Sequence, residues 1–182
     1  MRRLMLLRHA KTESDAPSGE DIDRRLDQRG NDDAAEIGRW MAQHKYAADL
    51  VLVSTAVRAR QTWDIIWPLV SETMPRARVA HLPELYIPDP ADILRIVHGA
   101  AKQAPEGLLI IGHNPGLHEL ALGLTAGGNE TARRALAGNL PTSGLVVIDF
   151  AIDDWRDVSF QRGRLDIFVS PKLLQKSKSS GD

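Results

Sequence analysis

The chain reads as an α/β protein: a three-layer α/β/α sandwich whose sheet is mostly parallel, with antiparallel edge strands late in the chain. Three observations predict it. Apolar runs of four recur at Leu4-Met5-Leu6-Leu7, Leu50-Val51-Leu52-Val53 and Leu108-Leu109-Ile110-Ile111, and uninterrupted runs of that length mark strands buried on both faces. Between them lie stretches with apolar residues at three- and four-residue steps, the spacing of helices with one inward face. With 182 residues, 43% hydrophobic and 26% charged, the chain is the size of one domain with a substantial core.

The first run ends in Arg8, His9 and Ala10. Residues 11–25 are rich in Asp, Ser, Pro and Gly without apolar periodicity, the pattern of a long loop over the sheet edge. Asp27 is placed to cap a helix reaching residue 44, with Ala34, Ile37, Trp40 and Met41 inward and Gly30 in its first turn. The second run leads to a helix predicted over residues 56–67 and stopped by Pro68. Arg58 falls in its first turn, where unpaired backbone N–H groups suit an anion. Residues 79–82 read as a short strand leading to Pro83-Glu84-Leu85-Tyr86, and residues 91–104 as an amphipathic helix.

The third run delivers Gly112-His113-Asn114-Pro115-Gly116, and Pro115 opens a helix to about residue 125. A break at 127–129, a short helix at 131–136, a strand at 144–150 and edge-strand candidates at 158–160 and 165–169 complete the pattern. Residues 1–170 are expected to form the domain, and 171–182 a polar, mobile tail. Trp40, Trp63, Trp67 and Trp155 are expected to pack, and an exposed one would be a candidate contact.

Composition excludes several classes of function. The chain has no cysteine, which removes a disulfide scaffold, a thiolate zinc site and a cysteine nucleophile together. A net charge of -1 gives no footprint for nucleic acid or an anionic membrane. The N-terminal run meets charge at once and makes a poor signal peptide, so a soluble, cytoplasmic protein is expected.

If the three runs are parallel neighbours, their C-terminal ends meet in one crevice, where open α/β sheets bind ligands. Each end is followed by Arg or His. A guanidinium offers a bidentate fork to phosphoryl oxygens, and a neutral imidazole offers a nitrogen nucleophile. One such ending is unremarkable; three in one chain point to a phosphate site.

The string Arg8-His9-Ala10-Lys11-Thr12, the segment Ser54-Thr55-Ala56-Val57-Arg58-Ala59-Arg60-Gln61-Thr62 and the segment Gly112-His113-Asn114-Pro115 together resemble the histidine phosphatase superfamily. Leu82-Pro83-Glu84-Leu85-Tyr86 and Leu140-Pro141-Thr142-Ser143-Gly144 make the likeness greatest to its small SixA-like phosphohistidine phosphatase branch. The resemblance implies a phosphoglycerate mutase-like fold and a covalent mechanism without metal or cofactor. In it His9 attacks phosphorus and carries the phosphoryl group before water removes it. It implies Arg8, Arg58 and a protonated His113 as donors around that group, and Glu84 as candidate proton donor to the leaving group. Thr12 and Asn114 are its further candidate contacts to phosphate.

Read locally, Glu84 is also a solvated loop glutamate, Thr12 a loop threonine, and Asn114 a cap for the helix behind Pro115. Arg60 lies two residues past Arg58 and points elsewhere, as a structural or rim residue. Ala10 stands where mutases carry Gly, and Asp15 where they often carry Asn, which speaks against a sugar-phosphate mutase. Arg25 replaces a proline common in the small branch.

Only about thirty residues separate Glu84 from His113, room for one helix with its loops. An open, shallow site suits a phosphorylated side chain on another protein better than a small metabolite. The expected activity is therefore dephosphorylation of phosphohistidine on a protein, with inorganic phosphate as product. Hydrolysis of a small phosphate ester and a non-catalytic phosphate-binding module are the alternatives. His9 is expected neutral and His113 cationic near neutral pH, which predicts a bell-shaped rate profile.

Overall fold

The three apolar runs become neighbours at the centre of one sheet. In the computed structural model, which describes residues 1–181, seven strands run in chain order: β1 (Arg2–Arg8), β2 (Leu50–Ser54), β3 (Arg78–Leu82), β4 (Gly107–Gly112), β5 (Thr125–Gly128), β6 (Leu145–Phe150) and β7 (Gly163–Val169). Across the sheet they stand in the order β3-β2-β4-β1-β6-β7-β5. The helices are α1 (Gln28–Gln43), α2 (Val57–Val70), α3 (Pro90–Gly99), α4 (Gly116–Leu124), α5 (Glu130–Gly138) and α6 (Pro171–Ser179).

Pairing explains the burial. β4 lies between β1 and β2, parallel to both, with Arg8 opposite Gly112 and Val53 opposite Ile111. Successive side chains of a strand point to opposite faces, so Leu4 and Leu6 enter one layer with Ile93, Val97, Leu117 and Leu120 of α3 and α4. Met5 and Leu7 enter the other, with Ile37 and Met41 of α1 and Ala59, Trp63 and Ile66 of α2. The α/β/α sandwich expected from the sequence is the architecture. Each fully buried aliphatic side chain contributes about 1.5–3 kcal/mol, which makes these runs the main source of the fold's cohesion.

The antiparallel strand sits elsewhere than expected. β6 is antiparallel to both β1 and β7, so it lies inside the sheet, and the edges are β3 and β5. The cause is where the preceding chain arrives. Ser143 N–H donates to the carbonyls of Arg8 and His9 at 3.1 and 3.2 Å, and Arg8 N–H donates to Gly144 O at 3.1 Å. The chain thus meets β1 at its C-terminal end and can only run back down. β5 forms where a break was expected, paired with β7. Gly128 has φ +110°, and a Cβ there would lie 2.1 Å from Leu165 O, so glycine is what permits this pairing.

Other boundaries also shift. Residues 158–160 form no strand; Val158 closes a 3-10 turn over Trp155–Asp157. α2 runs through Pro68 to Val70. Asp64 and Pro68 are both exposed, so water can serve the carbonyl that the proline ring leaves without a donor. The segment expected as a mobile tail is helical as far as Ser179: Ser170 Oγ accepts from Leu173 N–H at 3.3 Å, Pro171 opens the helix, and Lys178 reaches Glu36 of α1 at 2.8 Å. Position 182 lies outside the described residues. Trp63 and Trp155 are buried, and Trp67 is exposed.

α1 begins as the sequence predicts. The Asp27 carboxylate accepts from Gly30 N–H at 2.7 Å. A Cβ on Gly30 would lie 2.0 Å from Lys11 O, so the glycine lets the loop after β1 lie against the helix. Among the described residues no helix is long and apolar enough to cross a membrane.

Candidate active site

Three parallel strands deliver the site to one rim. His9 follows β1, and its N–H donates to Gly112 O at 3.1 Å, extending the β1–β4 ladder by one rung. His113 follows β4 directly, and the two imidazoles come to rest with centroids 5.2 Å apart. β2 ends at Ser54, and Arg58 sits in the first turn of α2. His9, Arg58, His113 and Ser54 are all buried.

Hydrogen bonds fix the rings. His9 Nδ1 lies 2.7 Å from Ala10 O; a carbonyl only accepts, so Nδ1 carries the proton and a neutral His9 keeps its lone pair on Nε2. Ala10 is held in turn, since its N–H donates to Thr62 Oγ1 at 3.0 Å and the Thr62 hydroxyl donates to Arg58 O at 2.7 Å. His113 Nε2 is 2.7 Å from Ser54 Oγ, which also accepts from Ala56 N–H at 3.3 Å. Arg8 Nη1 and Asn114 Nδ2 both donate to Leu140 O, at 3.2 and 2.8 Å. Arg58 donates from Nη1 to Asp21 O at 2.7 Å and from Nη2 to Asp21 Oδ2 at 2.9 Å.

Five buried side-chain polar atoms among the described residues have no partner: Arg8 Nε, Arg58 Nε, His113 Nδ1, Asn114 Oδ1 and Ser143 Oγ. Every one belongs to a residue at this rim. Each such atom costs about 1–3 kcal/mol when unsatisfied. Gathered at one place, they mark a site built to receive hydrogen-bonding atoms from outside the chain.

Electrostatics follow from burial and crowded positive charge. Burial lowers the His9 pKa to about 4, with Arg58, Arg8 and Arg24 adding to the effect. Burial lowers His113 further, to about 3, followed by the influence of His9 and Arg58. Both imidazoles are therefore neutral near pH 7. Burial and the neighbouring guanidinium groups thus oppose the cationic His113 expected from the sequence. Asp21 is held down at about 2, by the Tyr86 hydroxyl first and by Arg58 and Arg24 after it.

The sequence model of the histidine phosphatase superfamily (branch 1) matches residues 4–85. An uncharacterized protein of Mycobacterium leprae is 31% identical over 172 residues, covering 91% of this chain and all of that one. A crystal structure from Agrobacterium tumefaciens, of a protein proposed to be a phosphohistidine phosphatase SixA, is 31% identical with a TM-score of 0.74, covering 93% of this chain and 99% of the other. A SixA-named structure from Nakamurella multipartitia is 27% identical with a TM-score of 0.77, covering 93% and 96%. The chain belongs to the histidine phosphatase superfamily.

As a histidine phosphatase the molecule brings together His9, Arg8, Arg58 and His113. Glu84 is not bonded to them. That residue is exposed on a 3-10 turn, lines a groove of about 600 Å³ with Tyr86, Ile87 and Ile96, and makes no hydrogen bond or ion pair with the four. Thr12 reaches the site through a neighbour, its hydroxyl accepting from Arg24 Nη1 at 2.9 Å. Asn114 does not cap α4, which has no side-chain cap; it ties the histidine turn to Leu140. Arg60 is exposed, away from the cluster.

Four residues bonded into this cluster were not singled out in the sequence: Ser54, Asp21, Arg24 and Tyr86. Ser54 had a signal, since it is the first polar residue after a buried strand. Asp21 and Arg24 lie in a loop without periodicity, and Tyr86 offered only its position after a short strand.

Proposed function

We propose that this phosphatase dephosphorylates phosphohistidine on a protein by way of a phosphohistidine formed on His9. The observation that carries the reading is the His9–Ala10 hydrogen bond: it fixes the tautomer and leaves Nε2 as a free nucleophile among unpartnered cationic donors. Arg8 and Arg58 receive the equatorial phosphoryl oxygens, supplying the positive charge that phosphoryl transfer needs. Ser54 accepts from Ala56 N–H and donates its own proton to His113 Nε2, which leaves the neutral His113 with a proton on Nδ1. That N–H is offered to the phosphoryl group, so His113 donates without being cationic.

The steps balance. His9 Nε2 bonds to phosphorus as the bond from phosphorus to the substrate's nitrogen breaks, and that electron pair stays on the departing imidazole. Water then attacks phosphorus, the P–Nε2 bond returns its pair to His9, and inorganic phosphate leaves as a proton passes to solvent. A protein substrate is favoured by the short connection after Tyr86, in which α3 and one 3-10 turn lead directly to β4. The names of the SixA-like structures point the same way.

The test is to incubate the enzyme with phosphohistidine protein, 4-nitrophenyl phosphate and a sugar phosphate, then quench in alkali, where phosphohistidine survives. Expected is turnover of the protein substrate with label trapped on wild-type enzyme and none on His9→Ala. Turnover of small esters alone would replace the reading with a phosphomonoesterase. Binding with neither turnover nor label would replace it with a phosphate-binding module.

A further inference from the structure

Besides its histidines and arginines, the rim holds one carboxylate on the path to solvent. Asp21 stands on the 3-10 turn Asp21–Asp23. Its Oδ2 accepts from Arg58 Nη2 at 2.9 Å and from the Tyr86 hydroxyl at 2.6 Å, and its Oδ1 accepts from Arg24 Nε at 2.9 Å. Tyr86 also meets His113 edge-on, with centroids 5.6 Å apart. His9, Arg58 and His113 are buried, whereas the Asp21 side chain is 45% exposed and Tyr86 is half-buried. Asp21 and Tyr86, with Arg24 behind Asp21, thus form the outward-facing part of this cluster. In-line displacement puts the leaving group opposite the nucleophile, and a leaving imidazole carried on another protein must approach from solvent, the side to which Asp21 and Tyr86 are exposed.

We propose that Asp21 is a specificity-determining residue that selects the leaving group, its carboxylate favouring a protonated imidazole and opposing a departing oxyanion. The inference rests on the phosphohistidine reading above and names what in the site enforces it. A phosphorylated imidazole departs as neutral imidazole only if its other nitrogen already carries a proton; otherwise imidazolate, a far poorer leaving group, must form. The reactive form is therefore a cationic ring, and a carboxylate beside it raises the fraction in that form. An ester does the reverse. Its P–O bond breaks with the electron pair on oxygen, and the growing negative charge meets Asp21.

The groups facing Asp21 come from every side: Arg24 on its own turn, Arg58 on α2, Tyr86 after β3 and His113 after β4. They keep the carboxylate ionised. Asp21 therefore acts through its charge, without giving up a proton. Glu84 offers no substitute at the cluster, being exposed and unbonded to it.

The test compares wild type with Asp21→Asn on phosphoimidazole and on 4-nitrophenyl phosphate. Expected is a fall in kcat/KM of about tenfold or more on phosphoimidazole, the effect of about one pKa unit in the substrate ring. The ester rate should rise or fall by less than about threefold, and the alkaline limb of the kcat profile on phosphoimidazole, which reports the bound state, should move to lower pH. Tyr86→Phe removes a hydrogen bond and keeps the charge, so it should leave the substrate ratio near that of wild type. An equal fall on both substrates with an unmoved limb overturns the proposal, because Asp21 would then only hold Arg58 in place. A ratio change in Tyr86→Phe as large as in Asp21→Asn overturns it too. Wild-type turnover of the ester but not of phosphoimidazole or phosphohistidine protein removes the phosphohistidine reading and this inference with it. Wild-type phosphoimidazole turnover with an unchanged ratio in Asp21→Asn removes the role of Asp21 alone.

Discussion

Ser54 sets which nitrogen of His113 holds the proton, and its removal separates orientation from binding. In Ser54→Ala the imidazole loses its partner and either tautomer becomes accessible, so the N–H aimed at phosphate is present only part of the time. Loss of one buried hydrogen bond between neutral groups, about 0.5–1.5 kcal/mol, predicts a kcat roughly three- to tenfold lower, with KM little changed. Steady-state kinetics checks this, and a kcat within about twofold of wild type would mean that Ser54 does not orient the ring. Which residues could be foreseen is also decided at this scale. His9, His113 and Arg58 stand just past apolar runs, so their position is written locally. Asp21 meets Arg58 across 37 positions and Tyr86 across 65, and such a meeting exists only after the sheet has formed.

At the scale of elements, α1 and the loop after β1 form one unit through Gly30. In Gly30→Ala the new methyl collides with the Lys11 carbonyl, so either the helix start or the loop must move. Overpacking of this kind costs about 1–3 kcal/mol, and the loop that moves carries Asp21 and Arg24. The expected outcome is a lower Tm together with weaker inhibition by vanadate; an unchanged Tm and unchanged inhibition would show that the loop yields without consequence. The same scale explains which elements were legible. β1, β2 and β4 announce themselves because each carries four consecutive apolar residues buried on both faces. β5 does not, since Thr125-Ala126-Gly127-Gly128 becomes a strand only by pairing with β7. The inner place of β6 was hidden because it depends on where residues 143–144 anchor.

For the molecule as a whole, the two depressed histidines tie folding to acidity. Their folded pKa values, about 4 for His9 and about 3 for His113, lie below the unfolded value of about 6.5. As pH falls below about 6.5 the unfolded chain takes up protons that the native state refuses, so stability declines with acid and is fully present above that pH. The slope is on the order of 1 kcal/mol per pH unit for each histidine, and it continues down to the folded values. Thermal melts between about pH 7 and 4 should show this decline, and His9→Asn/His113→Asn should flatten it. An equally steep decline in the double variant would assign the acid sensitivity to other groups. NMR titration of both rings supplies an independent check, with no proton uptake expected near pH 6.

The rung that pairs Arg8 with Gly112 makes the reactive centre a by-product of strand alignment. Deleting one residue within β1 would reverse which layer each later side chain enters, swinging the nucleophile away from its partner imidazole while apolar positions fell out of step. Activity and core integrity are therefore inherited together, and insertions or deletions should be tolerated in the outer connections long before they are tolerated in either of these two strands.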